Sequence, residues 1–415
     1  MPDAALQDHH PMRIEYLSLT NFRNYARLEL SLPPGATVLH GENAQGKTSL
    51  LESIYYLATS RSPYTTSDRQ LINWRVENDP IPFARMAAEI CTKRSPLDRI
   101  EMTLLLERSE AGSLRFKKVI KVNGANRRVM DIVGMLNVVL FLPRDLMLVE
   151  GSPSDRRRFM NDTLAQVDRD YLQALNTYEK ILPQRNALLR RIGDKRATAK
   201  ELDYWDEKLI NAGAVLIAGR QRFLRELETE AQRAHHDLTG RRETLTLEYL
   251  PSFAPTAEGK GQLSFNTLGL DLHRQLAPEQ IAPQFTDKLK GELGESVNRG
   301  VTLSGPHRDE LRLHINGRDT GLYGSRGQAR TAVMALKLAE LAWMQTRIGE
   351  PPVLLLDEVI AELDAKRRAY LLERLDGSTQ TLMTTTELDI FTESFLQRTA
   401  LMHVVEGQIN TATSP

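Results

Sequence analysis

Gly41-Glu42-Asn43-Ala44-Gln45-Gly46-Lys47-Thr48 stands between the apolar run Ala36-Thr37-Val38-Leu39-His40 and the start of a helical pattern, Ser49-Leu50-Leu51-Glu52-Ser53-Ile54. The octet fits G-x-x-x-x-G-K-[ST], and the strand-then-helix setting is what makes that match informative. Glycines let backbone N–H groups turn inward around an anion, and the helix N-terminus adds the positive end of its dipole. The stretch reads as a phosphate-binding loop. Gly41, Asn43, Gly46 and Ser49 form the cradle, Lys47 reaches the β- and γ-phosphates, and the Thr48 hydroxyl coordinates Mg²⁺.

Such a loop needs a carboxylate at the end of a second buried strand. Val353-Leu354-Leu355-Leu356-Asp357-Glu358 supplies two acids after four apolar residues. Asp357 is expected in the Mg²⁺ shell, and Glu358 is expected to polarise the attacking water as general base. Lys47, Asp357 and Glu358 are thus the candidate catalytic residues, with Thr48 and Asp357 as the metal ligands. Lys47 and Asp357 are 310 positions apart, so the two chain ends must assemble one head around a long insertion.

Working outward, strand-like text covers RIEYLSLTNF, ARLELSL and ATVLH before the loop, and FARMAAEI, RIEMTLLLE, RFKKVIKV and NVVLFLP after it. Residues 153–240 change character: Gly and Pro become rare and apolar positions recur every three to four residues, predicting a helical insertion of about 90 residues. Pro183 is expected in a first helical turn or at a break. Strand text resumes at ETLTLEYLPSF, residues 255–262 read as a polar loop, and Gly324 to Arg347 as a helix. The divisions expected are 1–150 and 241–415 for the two parts of the head and 151–240 for the helical lobe.

The 415 residues leave room for two to three units of ordinary size. Lys+Arg and Asp+Glu are 54 each, so a uniformly basic chain is excluded, whereas a local basic patch is not. Cys91 is the single cysteine, which excludes an internal disulfide and a Cys-based zinc cluster and points to a reducing compartment. The first residues carry no secretory pattern and no stretch approaches a membrane span, so a cytoplasmic protein is expected.

Gly324-Ser325-Arg326-Gly327-Gln328 lies at a helix start. On its residues alone it is either a plain N-cap made by Ser325 or a turn that presents N–H groups to an anion. It resembles the signature loop of ABC-type ATPases, which meets the γ-phosphate held by the partner subunit's P-loop, and Ala361-Glu362-Leu363-Asp364 resembles their D-loop. Finer matches resemble the RecF family of bacterial recombination mediators. They are Leu19-Thr20-Asn21-Phe22-Arg23-Asn24-Tyr25, Phe141-Leu142-Pro143-Arg144-Asp145-Leu146 with Gly151 and Arg156-Arg157, Gln184-Arg185-Asn186-Ala187-Leu188-Leu189, Trp205-Asp206, and Gly305-Pro306-His307-Arg308-Asp309.

The resemblance implies an α/β fold: an ABC-type P-loop ATPase head, with a mixed sheet and an antiparallel β-subdomain, carrying an inserted helical lobe. It implies ATP as cofactor and an ATP-dependent homodimer with two nucleotides sandwiched between heads. Ser325, Gly327, Gln328 and Asp364 then join the nucleotide site, and Arg23 and Asn24 lie near the base or ribose. It also implies binding to gapped DNA or single-strand/double-strand junctions, with RecR and RecO as partners in loading recombinase, and no membrane partner. His307, Arg308 and Asp309 are expected to be structural or to couple the lobes. Two departures stand out: Arg144 replaces the family's usual Glu, and Thr384-Thr385-Thr386 stands where ABC ATPases place a switch histidine. A threonine hydroxyl cannot become cationic near pH 7, so slow hydrolysis is predicted.

Residues 115–128 hold six basic side chains and no acid: Arg115, Lys117, Lys118, Lys121, Arg127 and Arg128. The segment 351–415 has ten acids against five bases, so charge is segregated along the chain. The basic hairpin is either a phosphate-contact surface or a solvated edge where lysines discourage aggregation. Arg156-Arg157-Arg158 is a second DNA candidate, with Arg157 expected to pair with Asp155 or Asp162. Aromatics do not alternate with the basic positions, so a stacking platform for single strands is not expected. His9-His10 and His235-His236 lack partners at metal spacing and read as surface. Cys91 reads as a small core residue and Trp205 as a packing anchor. Three rival functions are a transporter subunit, a nuclease-linked ATPase and a static dimer that binds ATP without turnover.

Overall fold

The computed structural model describes residues 11–108, 114–253, 275–375 and 379–411. The expected loop at 255–262 and the His9-His10 pair lie outside these residues. The chain divides into two compact units, Met1–Pro143 with Met344–Pro415, and Arg144–Trp343. The second unit is longer than the helical segment 151–240 because a hairpin and two helices that follow it pack on the same core.

In the first unit, a six-stranded sheet among the described residues runs Gln408–Thr411, Ala400–Val405, Ala36–His40, Thr381–Thr385, Val353–Asp357, Val138–Phe141. All neighbours are parallel except the edge strand Gln408–Thr411. Val353–Asp357 and Thr381–Thr385 are buried along their whole length, which is how strands covered on both faces read in sequence. A second sheet is antiparallel, in the order Tyr25–Ser31, Arg13–Phe22, Phe83–Cys91, Asp98–Arg108, Leu114–Val122, Ala125–Arg127. Its last hairpin turns at Asn123 (φ 50°) and Gly124 (φ 80°), the left-handed pair that matches strand twist. Helix Lys47–Thr59 is buried along nearly its whole length in the core that both sheets share. Cys91 is a buried thiol in that unit, and burial pushes its pKa up.

The second unit is built on helices Pro153–Val167, Arg169–Gly193 and Asp203–Thr239. Ser152 and Asp155 form a capping box with Pro153 at the first position, and Asp168 accepts from the Tyr171 N–H at 2.9 Å. Both are stop-and-start signals legible in the text. Pro183, by contrast, lies inside Arg169–Gly193 rather than in a first turn or at a break. Burial of Tyr171, Leu175, Tyr178, Leu188 and Leu189 on both sides of it holds the helix together across the lost N–H. Strands Leu245–Leu250, Glu310–Ile315 and Arg318–Asp319 form a small antiparallel sheet. The last two turn at Asn316-Gly317, a signal the sequence reading passed over.

The sequence motifs with no chemistry of their own form the polar framework of this unit. Asp309 is fully buried and accepts from Arg220 Nη1 (2.8 Å), the Ser252 N–H (3.0 Å) and the Tyr249 hydroxyl. Arg220 also donates to the Pro306 carbonyl (2.7 Å) and Asn161 (3.0 Å). Arg185 is fully buried against Asp206 (2.6 Å) and Thr302 (2.9 Å), and Asn186 accepts from the Thr302 N–H (2.8 Å). His307 lies 2.7 Å from the Tyr178 hydroxyl and 3.2 Å from the Thr302 carbonyl, and burial pushes its pKa down to about 4. It is therefore a neutral ring that donates on one nitrogen and accepts on the other.

Two further expectations fail in this unit. His235 is not surface: its ring is fully buried, with Nε2 3.4 Å from Glu243, because it sits on the inward stripe of Asp203–Thr239 with Ala231, Ala234 and Leu238. His236 is partly exposed, as read. Arg157 pairs with neither Asp155 nor Asp162; it donates to the Asp309 carbonyl at 2.8 Å, while Arg158 meets Asp162 at 3.5 Å. Trp205 packs edge-on to Tyr204 and against the Leu188, Leu189 and Leu202 cluster.

Candidate functional site

The strand order explains how residues 309 positions apart meet. Thr381–Thr385 lies between Ala36–His40 and Val353–Asp357, with Thr384 opposite both Leu39 and Asp357. The glycine loop and the acidic pair therefore leave the same end of the sheet. Thr48 Oγ1 donates to Asp357 Oδ1 at 2.9 Å, and the Tyr64 hydroxyl donates to Oδ2 at 2.5 Å. Lys47 is buried; its Nζ donates to the carbonyls of Gly41 (2.7 Å) and Glu42 (2.8 Å) and stands 3.4 Å from Glu358 Oε1. A cationic lysine that curls over its own loop is poised to exchange those carbonyls for phosphate oxygens.

Glycine is required at two points of the loop. A Cβ on Gly41 (φ 152°) meets the Val404 carbonyl oxygen at 2.4 Å, and one on Gly46 (φ 120°) meets the Asn24 amide at 2.6 Å. The loop is held from outside by groups far away in the sequence. Asn24 Nδ2 donates to the Gln45 carbonyl (2.9 Å), the Tyr25 hydroxyl to the Gly46 carbonyl (3.0 Å), and the Gly407 N–H to the Gln45 carbonyl (2.9 Å). Arg23 makes a two-pronged pair with Glu52 at 2.7 and 2.8 Å and reaches the Gln70 carbonyl at 3.0 Å. Arg23 and Asn24 both line the cleft, and both also act as props of the loop and its helix.

The three threonines divide their roles. Thr384 Oγ1 donates to Asp357 Oδ1 (2.8 Å) and accepts the Glu358 N–H (2.9 Å), so it fixes the acidic pair directly. Thr385 is engaged with Glu387 (2.8 Å), and Thr386 is exposed past the strand end. Glu358 takes a left-handed backbone (φ 55°), a costly conformation for a residue other than Gly, Asn or Asp. It turns the carboxylate, 39% exposed, toward the cleft. That cleft has a volume of about 720 Å³, within the usual range for a small-molecule pocket.

The oxygens of Thr48 and Asp357 are the hard donors a magnesium ion prefers. No cluster of three or more His, Cys, Asp or Glu is present among the described residues. That donor set suits a cation that borrows its remaining ligands from phosphate and water, and it does not suit a self-contained metal cage.

Asn43 is exposed on the loop, and Ser49 lines the cleft. Asp364 caps helix Ala365–Glu373 by accepting the Arg367 N–H at 2.9 Å. Ser325, Gly327 and Gln328 belong to the second unit, at the exposed start of helix Arg326–Ile348. Ser325 Oγ accepts the Gln328 N–H (3.2 Å) while Gln328 Oε1 accepts the Ser325 N–H (2.9 Å), so the serine caps its helix as its residue type suggests.

The basic hairpin is less uniform than its sequence. Arg115, Lys117 and Lys121 share one face of strand Leu114–Val122, and Arg127 and Arg128 are exposed beyond its turn. Lys118 points the other way: it pairs with Asp68 (2.9 Å), donates to Ser60 (3.0 Å) and lies over the Tyr56 ring, and burial lowers its pKa. It shares period-2 parity with Phe116 and Ile120, so it faces the core and leaves the surface set. Lys117 meets Glu107 at 3.3 Å and Arg128 meets Asp131 at 3.5 Å, both at exposed sites. In the second unit, Arg156 is buried in a two-pronged pair with Glu310 at 2.6 and 2.8 Å. With Arg157 also engaged inward, Arg156-Arg157-Arg158 is not a basic surface patch.

The sequence expectations leave out Glu52, Tyr64 and Gln45 as site residues and name Thr384 only as the group at the switch position. Glu52 had a local signal, an acid on the otherwise apolar face of the loop's helix; the others become visible only once the strands are ordered.

The family described as RecF/RecN/SMC N terminal domain matches residues 13–411. The DNA replication and repair protein RecF of Chloroflexus aurantiacus is 40% identical over 408 residues, covering 96% of this chain and 99% of that protein. A solved structure of the recombination mediator protein RecF with ATP, in the RecFOR pathway, superposes with a TM-score of 0.82 at 28% identity, covering 98% of this chain and all of that one. The Smc head domain of Pyrococcus furiosus, at 15% identity and a TM-score of 0.50 over 97% of this chain and 96% of that one, shares the fold. With an ABC-type head built around this phosphate loop and full-length similarity at that level, the chain belongs to the RecF family.

Proposed function

We propose that this protein is an ATP-gated DNA clamp acting in recombinational repair in the cytoplasm, with RecR and RecO as partners in loading recombinase. The observation that carries the reading is the meeting of Lys47, Thr48, Asp357 and Glu358 at one end of a parallel sheet. Lys47 draws the β- and γ-phosphates of ATP, Thr48 and Asp357 hold Mg²⁺, and Glu358 takes a proton from the attacking water. ATP closes a homodimer in which Ser325, Gly327 and Gln328 of one copy meet the nucleotide on the other. Hydrolysis is slow, because the position of the usual switch histidine is filled by a hydroxyl already bonded to the acidic pair.

DNA is met through its backbone at gaps or single-strand/double-strand junctions, by Arg115, Lys117, Lys121, Arg127 and Arg128. This set is partly neutralised by Glu107 and Asp131, which favours modest, salt-sensitive binding over a tight grip. The double variant Arg115→Glu/Lys121→Glu is expected to weaken binding to gapped duplex about tenfold or more and to lower the log–log salt slope by about two. Fluorescence anisotropy across a salt series, with ATP and Mg²⁺ present, makes the check. An unchanged slope removes the hairpin from the interface. Lys118→Ala, whose side chain faces inward, is expected to leave that slope unchanged.

A further inference from the structure

The phosphate end of the cleft is well furnished, whereas nothing so far accounts for its other end. There the wall is made by Gln70, Ile72, Asn73 and Trp74, in the same cleft as Arg23 and Lys47. Trp74 is 71% exposed. The Arg75 guanidinium lies 5.4 Å from the ring centroid, and the ring also lines the cleft, where its apolar body is available to a ligand.

Its position is nevertheless fixed. The Asn73 N–H donates to the Asn21 carbonyl (2.8 Å), the Arg23 N–H donates to the Leu71 carbonyl (2.8 Å), and Phe22 bridges to Ile72. Asn73 is buried, and its side chain caps the short turn that carries Trp74 by accepting the Arg75 N–H at 2.9 Å. The ring is therefore mounted on the segment that also carries Arg23 and Asn24, the residues that brace the phosphate loop. An exposed ring carried on a fixed backbone and lining the same cleft as Lys47 is placed to receive a flat heterocycle.

We propose that Trp74 is the base-stacking platform of this site, closing the far end of the cleft against the face of the purine. The proposal rests on the nucleotide reading given above and names a specificity residue for it. Stacking is tolerant of base identity but stronger for the larger purine ring system, so Trp74 selects purine over pyrimidine triphosphates and leaves phosphate recognition to Lys47.

Calorimetric titration of the full chain with Mg²⁺ and a non-hydrolysable ATP analogue, its cytidine counterpart and inorganic tripolyphosphate separates the possibilities. Trp74→Ala is expected to weaken the ATP analogue about tenfold, to narrow its margin over the cytidine analogue, and to leave tripolyphosphate unchanged. Trp74→Phe is expected to restore most of the loss. Unchanged affinity of Trp74→Ala for the ATP analogue overturns the proposal. So does an equal loss for tripolyphosphate, which indicates a disturbed loop, or a loss of dimer with nucleotide affinity intact, which makes Trp74 a subunit contact. If the wild-type chain bound tripolyphosphate and neither nucleotide, the nucleotide reading itself would fall.

Discussion

Replacing Glu358 by Gln is expected to slow ATP turnover by about 100-fold or more and to trap the ATP-bound dimer. A positioned general base contributes on the order of 10²–10⁴ in rate, and glutamine keeps the shape while losing the basic oxygen. Glu358 suits that role because its backbone is held in a left-handed conformation by a strand end and by the bond from its N–H to Thr384. Its carboxylate stands 3.4 Å from Lys47, a contact that a bound triphosphate is expected to replace with a phosphate contact. Phosphate-release assays read the rate. Turnover equal to wild type would remove Glu358 from the chemistry and favour a static dimer.

The second large effect is on stability and lies far from the nucleotide. Asp309→Ala leaves Arg220, 2% exposed, as a buried cation without its carboxylate. Breaking one side of such a pair costs about 3–5 kcal/mol. For a unit of this size that corresponds to a fall of about 10 °C in the unfolding midpoint. Asp309→Asn, which keeps an acceptor for the Ser252 N–H, is expected to lose less. Differential scanning calorimetry of both variants makes the comparison; an alanine variant melting with wild type would mean that Arg220 finds another anion or water. This motif, Gly305 to Asp309, therefore holds the second unit together, and the structure gives His307 a neutral bridging role in the same framework.

What the sequence disclosed and what it concealed follow from the range of the forces involved. The phosphate loop, the acidic strand end and the left-handed Asn123-Gly124 turn are local patterns, each set by backbone geometry within a few residues. Lys118 counts with the surface cations by charge alone, whereas its parity with Phe116 and Ile120 turns it inward. Pro183 reads as a break because a proline's penalty is local, whereas the burial on both sides that carries the helix through it is set by the fold. Arg157 cannot be placed from its neighbours, because the Asp309 carbonyl comes near only in the fold. His235 shares the inward stripe of its own helix with Ala231, Ala234 and Leu238, a local periodicity that the paired-histidine reading leaves aside. Thr384 was noticed as a departure, yet its hydroxyl's attachment to both acids appears only when Thr381–Thr385 is set beside Val353–Asp357.

In the proposed dimer, two copies complete each other's nucleotide site. Sedimentation velocity with ATP and Mg²⁺, on the wild-type chain and on Ser325→Arg, tests it most directly. The exposed position of Ser325 at its helix start makes the arginine tolerable in a single copy and obstructive only at a shared triphosphate. Wild type is expected to sediment as a dimer with nucleotide and as a monomer without it, while the variant stays monomeric in both. A variant that dimerises with ATP as the wild type does would contradict the account.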